Sequence, residues 1–125
     1  EVTDLDKILL AYDGSPKSKE ALFMSAYFAA RYGSTLRIIS IDDGSADIEL
    51  QVSYAKSYLN KMKINYQYLF EKGDVTRLVI RAVETLHANF LLLGGYSSTS
   101  LFGVVFGSSV DSILRNLKIP ALICQ

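Results

Sequence analysis

The chain has 125 residues, half of them apolar and 21% charged, with 13 basic against 13 acidic side chains. That length suits one domain with a single sizeable core, expected over residues 1–125, and the zero formal charge excludes a protein that grips nucleic acid through a basic excess. No apolar run approaches the ~20 residues that cross a bilayer, no signal-peptide pattern opens the chain, and the one cysteine, Cys124, has no internal partner for a disulfide. Apolar neighbours suit Cys124 as a buried core thiol in a reducing compartment, so a cytoplasmic location away from membranes is expected. The start, Glu1-Val2-Thr3, lacks an initiator methionine and reads as a processed or excised segment.

Lys7 to Tyr12 is a short apolar run without helical spacing, a first strand that stops at Asp13-Gly14-Ser15-Pro16. Ser15 is the natural N-cap of the helix that follows, with Pro16 at its first position, where a missing N–H costs nothing. Ala21, Leu22, Ser25, Phe28, Ala29 and Tyr32 share one helical face, and Gly33 ends it. Leu36 to Ile41 reads as a second buried strand, closed by Asp42-Asp43-Gly44. Ile48, Val52, Ala55, Leu59 and Met62 recur at steps of four and three, an amphipathic second helix.

Ile64 to Phe70 alternates with period two, as a half-exposed or edge strand does. Asp74 caps a third helix whose apolar face is Val75, Leu78, Val79, Ala82, Val83 and Leu86. Phe90 to Leu93, wholly apolar, is a central fourth strand. A fourth helix carries Val110, Ile113, Leu114 and Leu117, and Ile119 to Cys124 is the last strand. Strict alternation of apolar strands with helices predicts an α/β fold: an open, doubly wound, five-stranded parallel sheet with helices on both faces.

Such sheets bind ligands beyond the carboxyl ends of the strands, where strand order reverses. Right-handed crossovers make the first and fourth strands neighbours at that point. Asp13-Gly14-Ser15 and Gly94-Gly95 leave those two strands and converge on one crevice.

"AYDGS" after the first strand, "KGD" before the third helix and "GGYSSTSLFGVVFGSSV" near the end resemble the universal stress protein family, over about Lys7 to Cys124. The resemblance implies sheet order 3-2-1-4-5, an adenine nucleotide alpha hydrolase-like fold, and an adenine nucleotide, ATP or AMP, as ligand. The family's nucleotide-binding branch carries a glycine, two residues, a glycine, nine residues, then Gly-Ser or Gly-Thr. That frame fits Gly94, Ser97, Gly107 and Ser108, with Ser97 standing where the second glycine is usual and Tyr96 where a histidine is. By the resemblance, Asp13 meets the adenine or ribose, Ile41 packs on the base, and Val110 lines the phosphate side; Ala11 and Leu93, ending their strands, complete the expected site.

The physical side of that expectation is an anion cradle. Gly94 and Gly95 let the chain turn sharply and approach a ligand, while Gly107, Ser108 and Ser109 stand at a helix start where unpaired amides and the dipole favour phosphate. Ser97 keeps its backbone N–H for this purpose at negative φ, whereas at positive φ a serine costs ~1 kcal/mol or more. A plain turn at Asp13-Gly14, an N-cap at Ser108 and a core residue at Ile41 are the competing readings.

No catalytic set is expected, since the only histidine, His87, falls at the far end of the third helix. One histidine and one cysteine make no closed metal site; Asp42-Asp43 reads first as an acidic turn and second as a contact for magnesium on a bound nucleotide. No Gly-Lys-Ser/Thr triplet follows a strand, which excludes a P-loop, and the acidic pair and the late lysine of a phosphorelay receiver are missing.

Two functions fit: an adenine-nucleotide-binding sensor or regulator with at most slow ATP hydrolysis, and an interaction module without nucleotide. Both carry a homodimer, expected through the edge strand Ala121 to Cys124. Eight tyrosines and the apolar loop Phe102 to Phe106 are further candidates for interface or cover.

Overall fold

The computed structural model describes residues 6–44, 48–94 and 108–124, with 108–111 as helical backbone. The elements run β1 (Lys7–Ala11), α1 (Pro16–Tyr32), β2 (Thr35–Asp42), α2 (Ile48–Lys61), β3 (Tyr66–Lys72), α3 (Val75–Thr85), β4 (Phe90–Leu93), α4 (Ser108–Asn116) and β5 (Ala121–Ile123). The strands form one sheet in the order β3-β2-β1-β4-β5, and every pairing is parallel. The expected order is therefore the observed one. Element bounds shift by a residue or two: β3 starts later than Ile64 and runs on to Lys72, and β5 keeps only three residues.

Local chemistry sets the helix ends. The Ser15 side chain accepts from the Ser18 N–H at 3.2 Å, and Pro16 follows it. At the other end Gly33 caps α1 at φ 66. Asp74 Oδ2 accepts from the Arg77 N–H at 2.9 Å to start α3.

Period-two alternation divides the core into two layers. Ile8, Leu10 and Tyr12 of β1 pack with Leu36, Ile38 and Leu92 under Ala21, Leu22, Ala26 and Ala29 of α1 and Ala55 and Leu59 of α2. Leu9 and Ala11 point the other way, with Ile39, Ile41, Leu91 and Leu93, toward α3 and toward Ile113 of α4. Each layer is a continuous apolar cluster, so both faces of the sheet are removed from water over β1, β2 and β4, while β3 stays partly exposed.

On α1 the buried residues are Ser18, Ala21, Leu22, Ser25, Ala26 and Ala29. Both serines satisfy their hydroxyls within the helix, Ser25 onto Ala21 O at 2.7 Å and Ser18 onto Ser15 O at 3.0 Å, so small polar residues cost little while α1 lies close to the sheet. Tyr32, expected on this face, is exposed as the last residue of α1. Met62 is likewise exposed, lying just beyond the end of α2.

Candidate functional site

The crossing at the centre of the sheet positions the candidate site. β1 lies between β2 and β4, with Ala11 opposite both Ile39 and Leu93. The chains leaving β1 and β4 therefore start side by side at the carboxyl end. Two further bonds hold this end: Tyr12 N–H donates to Ile39 O at 3.0 Å, and Ser40 Oγ donates to Tyr12 O at 2.7 Å.

Asp13 is half-buried at the mouth of this crossing. Its Oδ1 accepts from the Ser15 N–H at 2.9 Å, which turns the chain into α1 and fixes the carboxylate. Gly14 sits at φ +82, and a Cβ there would stand 2.7 Å from Cδ of Gln51. The left-handed turn and the side chain above it both require glycine. Gln51 is the neighbour that sequence reasoning missed; it comes from α2, and no local pattern links it to Gly14.

The remaining expected residues fall into three groups. Ala11, Ile41 and Leu93 are all buried, at 0%, 2% and 0% exposure, within the α3-side core. Gly94 is buried against α1: a Cβ on it would collide with the backbone carbonyl of Lys17 and stand 2.9 Å from the Ser18 Cα. That close approach joins β4 to the first turn of α1, so in the described structure this glycine makes room for the protein's own backbone. Gly95, Ser97 and Gly107 lie outside the described residues, as does the apolar loop Phe102 to Phe106. Ser108, Ser109 and Val110 form the first helical residues of α4, as expected for the helix start of the motif.

A hydroxyl cluster lies on the α1–α2 side of the same crossing. Ser40 Oγ, which bonds Tyr12 O, also lies 2.7 Å from the Tyr68 hydroxyl. Burial pushes the Tyr68 phenol up to about 12, with the Ser40 bond acting against it and Tyr66 adding to it. Tyr12 is raised as well, first by burial and then by Tyr68, Tyr54 and Asp13. Lysine ammonium groups cap the outer rings, Lys19 over Tyr54 at 4.3 Å and Lys56 over Tyr68 at 5.6 Å. The alternation of Tyr66 and Tyr68 placed them on one face; the serine that joins Tyr68 to β1 comes from β2 and gave no signal of its own.

Elsewhere, Asp42 Oδ1 accepts from the Gly44 N–H at 2.9 Å, the acidic-turn arrangement. Among the described residues no group of three or more His, Cys, Asp or Glu side chains gathers for a metal ion. His87, at φ 53, is exposed between α3 and β4, at the amino end of the sheet. Cys124 is half-buried rather than sealed in the core, because β5 is an edge strand; burial still raises its thiol, Glu20 adds to this and Lys17 opposes it. Two clefts flank α3. One of about 110 Å³ is lined by Leu69, Leu78 and Leu86, and a shallower one of about 530 Å³ by Arg77, Ile80 and Lys118.

A universal stress protein of Synechocystis is 24% identical over 120 residues, covering 94% of this chain. A universal stress protein in complex with cAMP superposes with TM-score 0.81 at 18% identity, each chain covered to 98%. The chain is universal stress protein-like in fold and in sequence. The Archaeoglobus fulgidus universal stress protein in complex with dAMP superposes with TM-score 0.73 at 14% identity, over 98% of this chain and all of that one. This chain spans 42% of the length of the Synechocystis relative. No family model matches it. No helix among the described residues is long and apolar enough to cross a membrane.

Proposed function

We propose that this universal stress protein-like chain binds an adenine nucleotide, ATP or AMP, at the crossing of β1 and β4 and serves as a cytoplasmic sensor or regulator. The reading treats residues 1–125 as one domain. The observation that carries it is the side-by-side exit of the Asp13-Gly14-Ser15 and Gly94 segments from adjacent strands, where strand order reverses. Two relatives in fold, crystallised with cAMP and with dAMP, support the class of ligand. In this reading Asp13 meets the ribose or base, and the α4 start at Ser108 and Ser109 meets phosphate through amides and hydroxyls. Gly95, Ser97 and Gly107 complete the cradle, Val110 lines it, and magnesium accompanies a triphosphate. The chain's residues bind and orient; hydrolysis is slow and incidental.

One observation favours the second reading, an interaction module without nucleotide. Ala11, Ile41 and Leu93 are committed to the core, and Gly94 is filled by the α1 backbone, so four expected contacts already have protein partners. Thermal denaturation with millimolar ATP or AMP separates the readings. Ligand at a hundred times its Kd adds about 2.7 kcal/mol to stability, and Gly107→Glu, placing charge at the phosphates, removes that gain. A folded chain whose melting temperature responds to neither nucleotide leaves the interaction module. Mass spectrometry of the natively purified chain identifies any nucleotide it retains.

A further inference from the structure

α3 rests on β2 and against α4, and it leaves the inward face of β3 partly covered, with Leu69 and Glu71 half-buried. The cleft of about 110 Å³ lies in that gap. Its helix wall is one stripe of α3 and its cap, Leu78, Arg81, Ala82, Thr85 and Leu86, spaced three and four apart as a single helical face requires. Its sheet wall is Ile39 beside its register partner Leu69, with Glu71 next along the same face of β3. Ile39, Leu78 and Ala82 are buried and make an apolar floor, flanked by Leu69 and Leu86. Arg81 and Glu71 keep 58% and 38% of their side chains exposed, so the charges stand at the rim.

We propose that this cleft binds a free α-amino acid with a branched aliphatic side chain: leucine, isoleucine or valine. Arg81 Nη2 and Glu71 Oε1 lie 3.8 Å apart, longer than the ~2.7–2.9 Å of a charge-assisted hydrogen bond. The two charges stand side by side at the rim without bonding each other closely. A fatty acid would bring its carboxylate up to Glu71, and an alkylamine its ammonium up to Arg81. A free amino acid carries both charges on one carbon, so its carboxylate meets Arg81, its ammonium meets Glu71, and its side chain leaves that carbon toward the floor. Thr85 lines the same cleft and offers a hydroxyl to the carboxylate.

The paired charges select a free amino acid over a residue inside a peptide, which carries neither charge. Volume selects the side chain. A cavity of about 150 Å³ lined by Leu, Ile and Phe takes up benzene, so the smaller space here suits an aliphatic branch over a phenyl or indole ring. The cleft shares none of the residues assigned above to the nucleotide.

The test is calorimetric titration of the whole chain with L-leucine, and methyl NMR to locate the bound molecule. Leucine is expected to bind about fifty-fold more tightly than alanine, since each buried methylene contributes about fourfold. Isocaproate lacks the ammonium and leucine amide lacks the carboxylate; each is expected to bind about tenfold more weakly than leucine. The methyl signals of Leu69, Leu78 and Leu86 are expected to shift. Glu71→Gln and Arg81→Gln are expected to leave circular dichroism unchanged and to weaken leucine about tenfold. Ala82→Leu fills the floor and is expected to abolish binding; if that variant fails to fold, the two rim variants decide. Four results each overturn the proposal: no binding of leucine, isoleucine or valine at millimolar concentration, isocaproate or alanine binding as tightly as leucine, shifts confined to other methyl groups, or folded rim variants that bind as wild type does. None of these readouts depends on nucleotide.

Discussion

Replacing Gly94 by alanine isolates what that glycine does. The added Cβ would stand 2.9 Å from the Ser18 Cα, with the Lys17 carbonyl closer still, and ordinary contact begins at 3.4 Å. The first turn of α1 must retreat by at least about 0.5 Å, and the obstacle is backbone, which has no rotamer to change. That turn is held by the Ser15 cap and by the Ser18 hydroxyl on Ser15 O, with Ser18 wholly buried. Overpacking of this kind costs about 1–3 kcal/mol. Taking about 2 kcal/mol, and a melting entropy near 2.1 cal/mol/K for each residue of a chain this long, the melting temperature falls by roughly 8 °C. Calorimetry on nucleotide-free protein measures it. An unchanged melting temperature would refute the packing argument and return Gly94 to a role toward ligand alone.

Three further outcomes follow from the same geometry. Ser40→Ala deprives Tyr12 O and the Tyr68 hydroxyl of a shared partner, and is expected to cost about 1–3 kcal/mol in urea denaturation; a midpoint equal to wild type contradicts the network. Tyr68 is raised in the folded state from 10.0 to about 12, so its contribution is whole below pH 10 and is lost as pH rises from 10 to 12, with Tyr12 acting in the same direction. Tyr68→Phe is expected to flatten that decline, and an equally steep profile in the variant would exclude Tyr68 as its source. Ser15→Ala removes the α1 cap at a cost of about 1 kcal/mol. Because Ser15 N–H, which Asp13 Oδ1 accepts, is backbone, the turn at Asp13 survives; a nucleotide-dependent stabilisation unaffected by the change separates the cap from the site.

Most of the fold was legible because it is written in short-range physics. Ser15 and Asp74 start helices through bonds to amides three residues on, and alternation along β1 divides Ile8, Leu10 and Tyr12 from Leu9 and Ala11. Those signals need only neighbours in sequence, and they led to the parallel sheet, its edge at β3 and the crossing of β1 and β4. The site was legible as a place and less so as a set of contacts. Asp13 and Gly14 announced a turn; that Gln51 closes over Gly14, that Gly94 is filled by Lys17 and Ser18, and that Ser40 joins Tyr12 to Tyr68 were not announced.

By itself, then, the sequence determined which segments become strands and helices, which face of each is apolar, and where the chain turns, since these depend on propensity, capping and periodicity within a few residues. Only the tertiary structure decided which groups meet across the crossing. Those meetings join residues far apart in sequence, such as Lys17 and Gly94 at about 77 positions, and depend on strand register and helix height to a fraction of an ångström, quantities that no local pattern encodes.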